Sequence, residues 1–358
     1  MTPHRSIEGV DTSTAGFVGP TQRGPTTGPP EALPSFAVYE RIYGQGDDLV
    51  IDGVATTNFM FYAARAYFEE GGTRLFVARV TDTSVEGYRE GLAALEAVED
   101  ISIVAAPGAH GHEVATELVT HCETMRSRMA LLDTPAGLPV EEARDYRRQA
   151  PSSGHAALYY PWVKADVRGG VPVHLPPSGF VAGIWAGNEP EYASAGEEVG
   201  SAVDLEIRLT KEQQEVLNPE GVNCLRYLPG RGVVVWGGRT LSDDPEWKYV
   251  NVRRYFLYLE RSIDRGTQWA VFEPNGESLW AGVRETVEEF LLAEWRKGSL
   301  QGAKAEEAFF VKCDRSTMTQ DDLDNGRLIC QIGVATSRPA EFVIFRIGQW
   351  TAGGSTAT

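Results

Sequence analysis

His110-Gly-His112-Glu113 is the densest grouping of metal-binding or proton-moving side chains in this chain of 358 residues. It follows an apolar stretch, Ile101 to Ala106, and opens a helical one, where loops of α/β folds often carry function. A zinc site needs three or four ligands in a tetrahedral arrangement. This fragment offers two histidines and a carboxylate at tight spacing, and no second triplet of ligands stands elsewhere. It reads as the polar start of a helix, and no metal is expected. A serine-hydrolase reading would join Asp133, His110 or His112, and a serine such as Ser178. Pro176-Pro-Ser-Gly179 lacks the Gly-x-Ser-x-Gly frame of a nucleophile elbow. An α/β hydrolase-like enzyme built on the His110–Asp133 region is therefore the alternative only. Gly44-Gln-Gly46 has Leu49 where a dinucleotide fingerprint needs its third glycine. Glu69-Glu-Gly-Gly72 ends a helix and so cannot hold a phosphate at a helix start. No catalytic residue and no cofactor is assigned.

The elements that would position such groups are legible from short-range pattern. Leu75–Val80, Ile101–Ala106, Met129–Asp133 and Ala156–Trp162 are short apolar runs that read as strands. Helical stretches over 85–98, 114–127 and 140–148 separate them. Tyr88, Leu92 and Leu95 share one face of the first of these helices. Alternation of this kind implies an α/β domain with a mostly parallel sheet covered on both faces. A helix over 58–70 precedes it, with Phe61, Ala64 and Phe68 as its apolar stripe and Gly71-Gly72 as its stop. Residues 165–205 read as loop-rich, punctuated by Gly169-Gly170, Pro176-Pro177 and Glu189-Pro190. A short helix over 211–217 and a strand over 232–236 follow.

From about Pro245 the pattern becomes α+β. A helix over 251–264 places Val252, Phe256, Leu259 and Ile263 on one face. A second, over 279–297, buries Trp280, Val283, Val287, Phe290 and Leu291, exposes Glu285, Glu288 and Glu289, and stops at Gly298. Arg296, Lys297 and Lys304 lie around its end, where cations complement the helix dipole. Strands are expected over 308–312, 327–334 and 340–347, with Asn325-Gly326 turning into the second. The last has apolar residues on both faces. The Gly-, Ser- and Thr-rich tail 351–358 is expected to fray.

A net charge of −17 has the wrong sign for broad binding to nucleic acid, which requires cations that displace counterions from phosphate. No apolar run approaches the ~20 residues of a membrane-spanning helix, and residues 1–23 lack the plan of a secretory signal. The four cysteines, Cys122, Cys224, Cys313 and Cys330, form no CxxC motif and read as reduced thiols. A contact between Cys313 and Cys330 on neighbouring strands is one arrangement the spacing allows.

Several blocks along the chain resemble contractile tail sheath proteins, the family of phage tails, R-type bacteriocins and extracellular contractile injection systems. They are Gly9-Val-Asp-Thr-Ser-Thr-Ala-Gly-Phe-Val-Gly19, Phe68–Arg79, Pro176–Gly183, Leu217–Arg226, Val235–Thr240, Trp247–Arg254, Trp269-Ala-Val-Phe-Glu-Pro-Asn275, Phe309–Asp314 and Arg338-Pro-Ala-Glu-Phe342. The resemblance implies a structural protein without enzymatic activity. It implies an N-terminal segment (1–20) that joins the C-terminal domain and a main outer domain (21–244), loosely subtilisin-like in architecture. It further implies an inner, polymerising and tube-facing domain (245–350) and a flexible tail (351–358). The implied partners are copies of the chain in stacked hexameric rings, an inner tube protein, and baseplate and tail-terminator or cap proteins, with no nucleic acid and no membrane insertion. Contraction would drive the tube through a target envelope, in a particle assembled in the bacterial cytoplasm and, for injection systems, released from the cell. Arg296, Lys297 and Lys304 are then expected to face the tube, and Phe342, Ile344, Arg346, Gln349 and Trp350 to meet neighbouring subunits by strand exchange. The family's extended arm before the Gly9 motif has no counterpart in Met1–Ile7. On that reading one edge of the inner sheet is expected to stay open.

Overall fold

Strands with apolar residues on both faces need cover on both, and this requirement organises the main domain. In the computed structural model, which describes residues 6–51, 53–167 and 171–341, seven strands form one sheet. Their order across it is Leu75–Arg79, Ala15–Gly19, Ile103–Ala105, Met129–Asp133, Ala156–Tyr160, Val222–Leu228 and Gly232–Val235. Neighbours are parallel, except that Gly232–Val235 runs antiparallel to Val222–Leu228. Successive side chains alternate between two cores. Phe17, Val77, Leu131 and Tyr159 face one core, and Val18, Phe76, Leu132 and Leu158 face the other.

The expected helices form as Phe59–Glu69, Val85–Glu96, His112–Met125 and Val140–Gln149. The last three cover the second core, and Phe59–Glu69 covers the first. Local capping fixes two of the starts. The Asn58 side chain accepts from the Phe61 N–H, and the Ser84 side chain from the Gly87 N–H.

The stretch 165–205 departs from the loop-rich expectation. Val163–Val167, Val171–Leu175 and Ala202–Leu205 form a three-stranded antiparallel sheet. Ser178–Gly187 is a helix buried from Ser178 to Trp185. It packs directly on Phe59–Glu69. A Cβ at Gly179 would lie 2.6 Å from the Ala63 Cα, and one at Gly183 would lie 2.6 Å from the Tyr67 carbonyl oxygen. Only glycine permits that approach.

In the C-terminal domain the helix Val250–Thr267 is a shared wall. Val250 and Leu257 enter the first main-domain core, whereas Tyr255 and Leu259 enter a third core. The helix Glu277–Lys297 buries Trp280, Val283, Val287, Phe290 and Leu291 in that third core. Truncating a residue such as Leu291 to Ala there would cost about 2–5 kcal/mol. Phe309–Lys312 and Gln331–Val334 pair as an antiparallel ladder against it. The expected strand over 340–347 reaches past residue 341 and lies outside the described residues, as does the tail 351–358.

The N-terminal stretch divides between the two domains. Ile7 packs in the third core, and the Val10 N–H donates to Ser262 Oγ at 3.0 Å. A Cβ at Gly9 would meet the Tyr258 hydroxyl oxygen at 2.2 Å. Ala15–Gly19, by contrast, lies inside the main sheet, between Leu75–Arg79 and Ile103–Ala105.

Candidate functional site

Asp133 ends its strand fully buried, but its partners are not those of a catalytic acid. Its carboxylate accepts from the Ser178 N–H at 2.9 Å, the Ser178 hydroxyl at 2.7 Å and the Gly108 N–H at 3.2 Å. Burial pushes its pKa up to about 7 despite these three donors. Neither histidine is among these partners. The His110 side chain is exposed, and its carbonyl accepts from the Tyr146 hydroxyl. His112 stacks on the Tyr146 ring at 4.4 Å. The hydrolase alternative fails on this geometry. Ser178 is a fully buried first-turn residue whose hydroxyl donates to Asp133, with no histidine to take its proton. Asp133 ties the start of the Ser178 helix to the sheet. Among the described residues no three His, Cys, Asp or Glu side chains converge to hold a metal, and no helix is long and apolar enough to cross a membrane.

The polar side chains that hold the two domains together come from Asn251-Val-Arg-Arg254. Arg254 is buried, donates to the Trp185 carbonyl at 2.6 Å and lies over the Trp185 ring. Arg253 lies over Trp247 and reaches His155 Nε2 at 2.5 Å. Asn251 donates to the carbonyls of Glu191 and Ser337. The bonds to Trp185, Glu191 and His155 leave this one helix and reach the main domain, so the two domains are joined by directional bonds as well as by shared apolar packing.

Glu341, the last described residue, sits in a second cluster. Arg239 holds it in a fork at 2.6 and 2.7 Å, with Tyr249 at 3.0 Å and Lys248 at 3.2 Å. Burial opposes its charge, but Arg239, Lys248 and Tyr249 outweigh it and hold the carboxyl at about 2. The chain is therefore anchored to the main domain immediately before residue 342. Phe342, Ile344, Arg346, Gln349 and Trp350 lie beyond that anchor and outside the described residues.

The three cations at the end of the Glu277–Lys297 helix are not equivalent. Arg296 and Lys304 are exposed. Lys297 is bound at 2.6 Å to Glu294, a buried carboxylate that also accepts from Tyr255 and Tyr258. It neutralises a charge in the domain's own core.

A feature missed by pattern reading is Phe272. Its ring is fully exposed and its backbone has φ +68°, a conformation costing an L-residue about 1–2 kcal/mol. Its loop is fixed on both sides. Trp269 and Ala270 pack in the third core, and Asn275 bonds to Trp280 and to the Arg327 carbonyl. A rigid loop that presents an aromatic ring to solvent has the form of a contact anchor. The block Trp269–Asn275 is distinctive in sequence, but nothing local says which of its aromatics points outward.

Residues 82–241 match the family model of the phage tail sheath protein central domain, and residues 242–349 that of the phage tail sheath C-terminal domain. The helical sheath of the anti-feeding prophage (AFP) in the contracted state is 31% identical, with TM-score 0.82, covering 98% of this chain and 96% of that one. The sheath complex of the extracellular contractile injection system PVC, also contracted, is 28% identical with TM-score 0.83, covering 96% and 93%. A putative prophage major tail sheath protein of Pseudomonas aeruginosa (strain UCBPP-PA14) is 24% identical over 65% of this chain and 55% of its own length. The chain thus spans about half of that relative, and its match to the tail sheath protein of Enterobacteria phage T4 covers 21% of the latter.

Proposed function

This chain belongs to the contractile tail sheath family, and from that premise we propose that copies of it stack as hexameric rings around an inner tube and contract to drive the tube through a target envelope. The observation that carries this reading is the match, across both domains and nearly the whole length, to sheaths in their contracted state. The geometry agrees with a structural role. Its buried polar groups brace helices and domains, and its unusual exposed group is an aromatic ring on a fixed loop. Baseplate and terminator or cap proteins are its further partners, assembly takes place in the bacterial cytoplasm, and the main domain shares with subtilisin-like proteins an architecture and no chemistry.

In this reading the corner after Glu277–Lys297 faces the tube, with Arg296 and Lys304 as the cations free to meet acidic groups. Exposed pairs contribute about 0–1 kcal/mol each, but ring symmetry repeats them. Lys297 is a poor probe, because reversing it would set a second carboxylate beside buried Glu294. The test is negative-stain microscopy of the protein mixed with its cognate tube protein. Wild type should give sheathed tubes, and R296E/K304E should lose tube association at low salt while still folding. Undiminished sheathing by the double variant would remove the tube-facing assignment. Failure of the wild type to form any ordered tube or ring would count against the sheath reading itself.

A further inference from the structure

The ladder between Phe309–Lys312 and Gln331–Val334 pairs Lys312 with Gln331, so the next opposed pair is Cys313 and Cys330. Directly opposed side chains share a face, and faces alternate along a strand. Phe309, Val311 and Cys313 therefore share a face with Val334, Ile332 and Cys330, and all of these but the exposed Ile332 pack in the third core. Cys313 is buried, Cys330 is partly exposed, both are free, and each lies near enough to shift the other's ionisation. Opposed Cα atoms in antiparallel strands lie about 4.5–5.5 Å apart, inside the ~4.4–6.8 Å that disulfides span. Cys122 and Cys224 belong to the second core, on the main sheet, and are fully buried.

We propose that Cys313 and Cys330 form a covalent modification site, a cross-strand dithiol that a small-molecule disulfide such as oxidised glutathione converts to a protein disulfide. The Cys330 thiolate, the more accessible, attacks one sulfur of the reagent. One glutathione thiolate leaves and takes a proton from solvent. Cys313 then gives its proton to solvent and attacks the Cys330 sulfur of the mixed disulfide, expelling the second glutathione, which is protonated in turn. Two protein thiols are oxidised and one small disulfide is reduced to two thiols. Burial raises both cysteines, Cys330 to about 12, so exchange is slow and speeds up with pH.

The bond would close the segment 314–329. That segment holds the short helix Gln320–Asp324, packs Met318, Leu323, Leu328 and Ile329 in the third core, and is held further by the Arg327–Asp322 pair and by Thr317 Oγ donating to the Ile329 carbonyl. A cross-link there restricts the unfolded chain. The dithiol would stay open where glutathione is reduced and close where it is not.

The experiment incubates the purified full chain with oxidised glutathione at pH 8, alkylates it in denaturant and maps its peptides by mass spectrometry. The expected product joins the peptide carrying Cys313 to that carrying Cys330, which cleavage at Arg315 and Arg327 otherwise separates, with Cys122 and Cys224 alkylated. The oxidised protein should melt several degrees higher than the reduced one, and C313S/C330S should show no such difference. Four alkylated cysteines after prolonged oxidation, a persistent glutathione adduct on Cys330, or linkage to Cys122 or Cys224 would each overturn the proposal.

Discussion

Replacing Glu341 by Gln removes the charge that Arg239, Lys248 and Tyr249 share. Losing one partner of a buried pair costs about 3–5 kcal/mol. The Glu341 and Arg239 side chains retain 14% and 10% exposure, Lys248 is more open, and an amide can still accept from Arg239. The expectation for Glu341→Gln is therefore lower, about 2 kcal/mol. The carboxyl's pKa leads to a similar figure. Held at about 2 against its ordinary 4.5, it corresponds to roughly 3 kcal/mol of preference for the charged form, before screening by solvent. The sign follows from the depressed folded-state value. The contribution is complete above pH 4.5 and is lost as pH falls toward about 2. Urea unfolding of wild type and Glu341→Gln from pH 7 to pH 3 should show a gap of about 2 kcal/mol at neutral pH that narrows below pH 4.5. Equal midpoints at pH 7, or a gap that stays constant to pH 3, would refute the claim that this carboxylate anchors the chain as an ion.

Asp133 should behave in the opposite sense. Its folded pKa is raised to about 7, so its contribution is complete below the ordinary 3.8 and is lost as pH rises through 7. Wild type should lose stability relative to Asp133→Asn across that window, by an amount on the order of a few kcal/mol, and parallel pH profiles would contradict this. His110→Ala should change stability by less than ~0.5 kcal/mol, whereas His112→Ala should cost about 0.5–1.5 kcal/mol through its lost ring contact with Tyr146. Ser178→Ala should cost about 1–2 kcal/mol through its lost bond to Asp133, as read by thermal unfolding. Phe272→Gly should leave the isolated protein as stable or more so, since glycine tolerates φ +68°. If the ring anchors a neighbouring subunit, the same change should raise the concentration needed for ordered tubes in sedimentation, and unchanged assembly would remove Phe272 from the interface.

Much of the fold was legible because it rests on short-range pattern. The alternation of apolar runs with helical stripes over 75–160 located four strands of the sheet, and the spacing of Trp280, Val283, Val287, Phe290 and Leu291 identified one buried helix face that the third core confirms. These are local periodicities, set by the geometry of each element. The stretch 165–205 differs from expectation because Gly169-Gly170, Pro176-Pro177 and Glu189-Pro190 are turn signals locally, whereas the helix Ser178–Gly187 between them is stabilised by packing on Phe59–Glu69, a partner distant in sequence. Ala15–Gly19 carries no mark in sequence that it pairs inside the main sheet, next to its edge strand Leu75–Arg79. The site was less legible still. Glu341 and Arg239 stand in distinctive blocks, but their pairing joins residues 102 apart. Lys297 looks like a free cation until Glu294 is seen buried beside it, and Phe272 looks like core until its neighbours Trp269 and Ala270 take that role. Over 75–160 and 250–297 sequence determined which segments would be helix or strand and which faces were apolar, because there those depend on neighbours along the chain. Which charges are spent inside the molecule and which groups are left for partners was decided only by tertiary structure, because burial and ion pairing depend on neighbours in space.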